Sequence, residues 1–228
     1  MKAGSFNNLI ADAFTMPKKT VTVYTRLLKE AQLLTSGKGG RAAPEMSPLD
    51  AARITIAVLT TESPSQCVER VKRFGEIEYS PNFRRKVRGY ETIKPEQFSK
   101  LFEGLTLEEV LAHIFALPSK LGIDGACAWH SENIFHLRIS DFEVLAELFQ
   151  WSMDDGEVVG ELVAPFKGKT MVPTSQGFKH VEEYSPIKGG IRTQRSIIGS
   201  QFLSIGLALA LDDNGNPLRA EKSDEAKK

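Results

Sequence analysis

Lys19, Thr22, Arg26 and Lys29 recur at i, i+3, i+7 and i+10. A helix carrying them presents one ridge of three cations and a hydroxyl, with Lys18 beside its first turn. Such a ridge suits contact with a polyanion. Lysine and arginine neutralise phosphates, arginine also forks onto guanine, and threonine touches a base edge or a methyl group. A solvated surface helix shows the same stripe, so the neighbouring residues decide between the two. Lys38 and Arg41 follow in Thr35-Ser36-Gly37-Lys38-Gly39-Gly40-Arg41, too rich in glycine for helix or regular strand. A basic loop beside the helix places its cations against a duplex backbone or minor groove. Residues 1–45 hold seven Lys or Arg against three Asp or Glu, whereas the whole chain has 29 of each and no net charge. A local surplus on a neutral chain is the electrostatic footprint of a nucleic-acid module.

A second basic run, Arg70, Lys72, Arg73, Arg84, Arg85, Lys86 and Arg88, either extends that footprint or keeps a linker solvated. Motifs for catalysis fail one by one. Gly168-Lys169-Thr170 resembles the end of a phosphate loop, but the leading glycine position holds Val163. His130-Ser131-Glu132 lacks the downstream PCxxC that a zinc deaminase needs. His130 and His136 stand six apart in an expected strand, hence on one face, with no third ligand nearby. Ser200 lacks the second glycine of a nucleophile elbow. Cys67 and Cys127 lie 60 positions apart without CxxC context and read as reduced thiols. The expectation is a chain that is not an enzyme, with no cofactor and no metal site.

The elements that position the ridge follow from periodicity and capping signals. Phe6, Leu9, Ile10, Ala13 and Phe14 predict a helix over 5–14. Pro17 opens a second over 17–33, with Val21, Tyr24, Leu27, Leu28 and Ala31 as its buried face. Leu33-Leu34 and residues 42–46 flank the glycine loop as the arms of a short hairpin. Ser47-Pro48-Leu49-Asp50 and Ser63-Pro64-Ser65-Gln66 predict two further helix starts, the second as a capping box. Between them, residues 51–59 are nearly all apolar, as a central core helix requires. Helices are also expected near Pro95, from Thr106 with Glu109 as its capping box, and from Ser140 to Trp151. A strand or turn is expected over 122–128, a strand over 129–139, and three or four short strands over 157–192. Residues 196–211 form a helix or strand, and 212–228 a disordered tail.

The order helix, turn, helix, then "LLKEAQLL", a glycine-rich loop and "MSPLDAARITIAVL" resembles the MerR-type and phage excisionase-type winged helix, over about residues 5–74. The resemblance implies that Lys19, Thr22, Arg26, Lys38 and Arg41 face double-stranded DNA and that Asp50 caps the helix after the wing. The chain lacks the long dimerisation coiled coil of MerR regulators and their metal-binding cysteines, so metal sensing is not implied. The same small fold occurs in some phage terminase small subunits, which leaves a DNA-packaging role open.

At 228 residues, 41% hydrophobic and 25% charged, the chain has an ordinary globular composition. Its longest apolar stretch, residues 202–211, is broken by Ser204 and Gly206, well short of the roughly 20 residues a membrane helix needs. The expectation is a cytoplasmic α+β protein without a membrane segment. It has a winged helix-turn-helix over 1–75, a basic linker over 76–94, and a smaller-stranded α+β domain over 95–211 for self-association or partner binding. The function expected is sequence-specific binding of double-stranded DNA as a homodimer or higher homo-oligomer, as a transcriptional regulator of a bacterium, phage or mobile element. The alternatives are DNA packaging and a protein-interaction module whose ridge meets an acidic partner. Lys18, Lys19, Thr22, Arg26, Lys29, Lys38, Arg41, Arg84 and Arg85 are the DNA-contacting candidates.

Overall fold

Two tight reversals set the course of the first helices. In the computed structural model, which describes residues 1–37, 43–79, 102–140, 145–154, 157–168, 170–174, 177–181 and 194–211, α1 spans Ala3–Ala13 and α2 Lys18–Glu30. Beyond α1, Thr15 takes φ 51° and Met16 N–H reaches back to Ala11 C=O at 2.8 Å. Beyond α2, Gln32 takes φ 60° and Leu33 N–H reaches Leu28 C=O at 2.8 Å. Both are left-handed helix stops built without the usual glycine. The second ends α2 at Glu30, three residues before the expected Leu33.

α3 (Pro48–Thr60) begins at the expected signal. Asp50 N–H donates to Ser47 Oγ at 3.1 Å, while Ser47 N–H donates to Asp50 Oδ2 at 2.6 Å. Ten of its thirteen residues are buried, so it is the central helix. The capping box expected at Ser63 does not form. Pro64–Gln66 is a 3-10 turn, Ser63 Oγ meets Ser65 Oγ at 2.9 Å, and α4 starts only at Cys67 and runs to Gly75.

α5 (Leu107–Glu132) is capped by Thr106 and Glu109 as the sequence predicts, contains Pro118, and breaks at Gly122 (φ 74°, ψ 169°), a backbone conformation open only to glycine. Two expectations are corrected here. Residues 123–128 are helical, neither strand nor turn, and Trp129 and His130 belong to the helix, so the strand starts later. Past the break the buried positions are Ala126 and His130, one helical turn apart, too sparse a pattern to read from sequence.

The sheet is antiparallel in the order β1-β4-β3-β2-β7, from β1 (Glu78–Tyr79), β2 (Asn133–Ser140), β3 (Leu145–Asp154), β4 (Glu157–Lys167) and β7 (Gln194–Ile198). β5 (Thr170–Thr174) and β6 (Gly177–Val181) pair separately. The helix expected from Ser140 to Trp151 is instead β3, the sheet's middle strand. Ala146 and Leu148 are fully buried, and Glu147 and Phe149 nearly so on the opposite face. A strand apolar on both faces imitates a short helix, and pairing along both edges decides the outcome. The described part of 157–192 supplies three strands, β4 to β6, where three or four short ones were expected, and 196–211 contain both alternatives, the end of β7 and α6 (Gly199–Leu209).

The fold is a mixed helix and antiparallel-sheet (α+β) structure. Its core does not divide at residues 76–94. One buried cluster runs from Phe6 and Ile10 through α3 and Phe74 to Phe115, Phe135 and Phe202. The ring of Phe202 lies 5.4 Å from Phe115 and 6.5 Å from Phe135. Gly206 lets α6 approach α5, since a Cβ there would sit 3.1 Å from Phe115 C=O and from the Pro118 ring. The two expected domains therefore share one interior. The helix expected near Pro95, residues 141–144 of the helix expected from Ser140, and the tail expected over 212–228 lie outside the described residues.

Candidate nucleic-acid interface

α2 is amphipathic, and its inner face fixes its outer one. Val21, Tyr24, Thr25 and Leu28 are buried. Thr25 Oγ1 donates to Asn7 Oδ1 of α1 at 2.8 Å, and the Tyr24 hydroxyl meets Thr61 Oγ1 at 3.1 Å. Those two bonds set the rotation of the helix. Lys18, Lys19, Thr22 and Arg26 are consequently exposed along one side, and Lys29 is half-buried. The first turn carries no acid and no side-chain cap, so the positive end of the helix dipole coincides with Lys18 and Lys19.

Two ridge groups have local partners. Thr22 Oγ1 donates to Lys18 C=O at 2.9 Å, leaving its lone pairs and methyl outward. Arg26 Nε lies 3.7 Å from Glu30 Oε1, both side chains being about two-thirds exposed (65% and 63%). An exposed pair of this length is worth little and yields readily to a phosphate.

The glycine loop is rooted from both sides. Thr35 N–H donates to Asp50 Oδ1 at 2.7 Å, and Arg53 Nη1 donates to Leu33 C=O at 2.9 Å. Asp50 thus caps α3 and also holds the loop's start. Gly37 abuts Pro44, where a Cβ would come within 2.9 Å of the proline ring. The expected hairpin arms do not pair with each other among the described residues. Lys2 bridges Glu45, Met46 N–H donates to Met1 C=O at 2.9 Å, and the Lys2 ammonium donates to Ala43 C=O. Pro44 has no N–H to give a ladder, and the residues ahead of α1 take the edge of 43–46 instead. Lys38 and Arg41 lie outside the described residues, as do Arg84 and Arg85. On α4, Lys72 and Arg73 are exposed and Arg70 is half-buried.

Sequence reasoning missed the polar links that brace this face. Arg53 Nε and Nη2 each donate to a Glu108 oxygen at 2.9 Å, joining α3 to α5 in a bidentate pair about one-fifth exposed. The Glu108 hydrogen bond drives the Arg53 guanidinium further into its charged form. Arg195 of β7 donates to Thr61 C=O at 2.9 Å and Leu59 C=O at 3.4 Å, a cation on the C-terminus of α3. These pairings span 55 to 136 residues, beyond the reach of any local signal.

The two histidines are not on one strand face. His130 is at the end of α5, buried edge-on to Trp129 at 5.1 Å, and His136 is on β2 beside Phe149 at 5.6 Å. Burial pushes both below the ordinary histidine pKa, and Arg138 adds to this for His136. Cys67 is buried, which raises its thiol pKa, and Cys127 is exposed; both are free thiols. Among the described residues no cluster of His, Cys, Asp or Glu is placed to hold a metal ion, and no helix is long and apolar enough to cross a membrane. In comparisons with known proteins, no family model, no curated protein and no solved structure matches this chain.

Proposed function

We propose that the protein binds double-stranded DNA through α2, with α1, the turn at Thr15 and α2 serving as a helix-turn-helix. The observation that carries this reading is that Lys18, Lys19, Thr22 and Arg26 stand exposed along one side of α2 while the opposite side is locked to α1 and α3. Cations held on a fixed helix track a phosphate backbone. With the Thr22 proton committed to Lys18 C=O, the ridge favours phosphate contact, and base reading falls to Arg26 and the Thr22 methyl. Lys38 and Arg41 of the glycine-rich loop are taken as further contacts to the same duplex, in the role of a wing. One short helix gives little specificity alone, so a regulator of this kind acts as a homodimer or higher oligomer that presents two copies of α2.

Gel shift with random duplex DNA at two salt concentrations tests the reading. Wild type shifts the duplex at low salt, and the affinity falls steeply as salt rises. Lys19→Ala lowers the slope of log affinity against log salt by about 1. Absence of any shift at low salt overturns the proposal and leaves the ridge to an acidic protein partner. Selection from a random duplex pool then separates the two DNA roles. A palindromic motif supports a transcriptional regulator, and a featureless pool supports DNA packaging.

A further inference from the structure

The break in α5 lies at the surface. Residues 119–125 are consecutively exposed, although they belong to one of the longest elements in the chain. Two of them are large and apolar, Leu121 at 47% and Ile123 at 39% exposure. Ile198 is the other exposed large hydrophobic residue among those described. Two large apolar side chains left exposed on either side of one glycine offer a partner apolar area to cover.

The order of residues says what meets it. Lys120-Leu121-Gly122-Ile123-Asp124 is arranged about its centre as cation, apolar, glycine, apolar, anion. A twofold axis through Gly122, with two copies crossing antiparallel, sets Lys120 against the partner's Asp124 and Leu121 against the partner's Ile123. The second pair of contacts repeats the first, as an isologous interface requires. Gly122 faces itself on the axis, where the lack of a side chain lets the two backbones approach. We propose that this break in α5 is the self-association surface of the protein and that its occupant is a second copy of the same chain. The inference deepens the self-association in the proposed function and stands independently of the α2 ridge.

Sedimentation velocity without DNA tests it. Wild type self-associates as its concentration is raised to the high micromolar range. Lys120→Glu sets two carboxylates against each other at each charged contact, and Asp124→Lys sets two ammonium groups there. Each variant therefore associates at least about tenfold more weakly. Mixed, the two variants form a heterodimer, because each charged contact then sets a carboxylate of one chain against an ammonium group of the other. The double charge swap on one chain restores the homodimer, because both charged contacts are then attractive again. Leu121→Asn weakens association without altering any charge. Far-UV circular dichroism of each variant matches wild type, since all these side chains are exposed. A wild type that stays monomeric, single variants that associate as wild type does, or a double swap that stays monomeric would each overturn the proposal. Gel shift of Lys19→Ala is read separately, so either proposal fails without the other.

Discussion

α3 and α2 are both thirteen residues long and lie in the same helical layer, yet they treat their polar groups in opposite ways. α3 turns them inward and satisfies most of them, the buried Thr55 Oγ1 being left without a partner. Asp50 is 2% exposed and accepts from Thr35 N–H, Ser47 N–H and Ser47 Oγ. Arg53 is held by Glu108, and the helix C-terminus is held by Arg195. α2 keeps only Thr25 and Tyr24 for the interior and turns its cations to solvent. Polar groups that complete their hydrogen bonds inside a molecule serve the fold. Groups that the fold holds outward are left available to a partner, and under the proposed function that contrast singles out α2.

The largest effect belongs to α3. Asp50→Ala orphans three buried or half-buried donors and removes the cap, costing about 3 kcal/mol in a urea titration. Glu108→Ala strands the Arg53 guanidinium and costs about 2 kcal/mol, toward the low side for a buried pair because this one is partly exposed. Losses below about half a kcal/mol in both would show that α3 is no more committed to the fold than α2 is. Arg195→Met comes next at about 1 kcal/mol, the scale of a cation on a helix C-terminus. It also tests whether the sheet and the helical layer unfold together. A single transition, shifted as a whole by Arg195→Met, is the outcome that a shared core requires.

Acid acts on the interior through the histidines. His130 and His136 have folded-state pKa values below the ordinary 6.5. As pH falls through 6.5 the unfolded chain takes up protons before the folded one, so stability is intact above that pH. It declines below it until the lowered pKa values are reached. Glu109, whose pKa is lowered chiefly by the Thr106 N–H bond, adds its own loss only in a more acidic range. Melting temperature against pH, for wild type and His130→Leu, should show a shallower decline below 6.5 in the variant. An identical decline would place the histidine outside this account.

The helices with explicit end signals were legible in the sequence. The start of α3 at Ser47 and the box of Thr106 with Glu109 were predicted, because capping is a local matter, although the box itself forms at Ser47 and not at Ser63 where it was expected. The turn between α1 and α2 was legible from Pro17, whereas the reversal at Gln32 carries no glycine and the expected end of α2 overran it. β3 was misread because Leu145, Ala146, Leu148 and Phe149 satisfy helical and strand spacing alike, and only its two neighbours in the sheet settle the question. The side of α2 that faces outward was visible from the 3.6 period alone. What braces it was not, since Arg53–Glu108 and Arg195–Thr61 join residues far apart in the chain.

The smallest effect on the fold is the most telling. Among the described residues Arg26 pairs with Glu30 alone, across 3.7 Å with both side chains about two-thirds exposed. Such a pair contributes a few tenths of a kcal/mol at most, so Arg26→Ala changes unfolding stability by less than about 0.5 kcal/mol. Alanine also favours helix at this exposed position, which offsets part of even that loss. If α2 serves a duplex, the same substitution weakens DNA binding several-fold while the melting curve and the sedimentation profile stay those of wild type. A stability loss comparable to that of Asp50→Ala would instead make Arg26 part of the fold and erase the difference between the two helices.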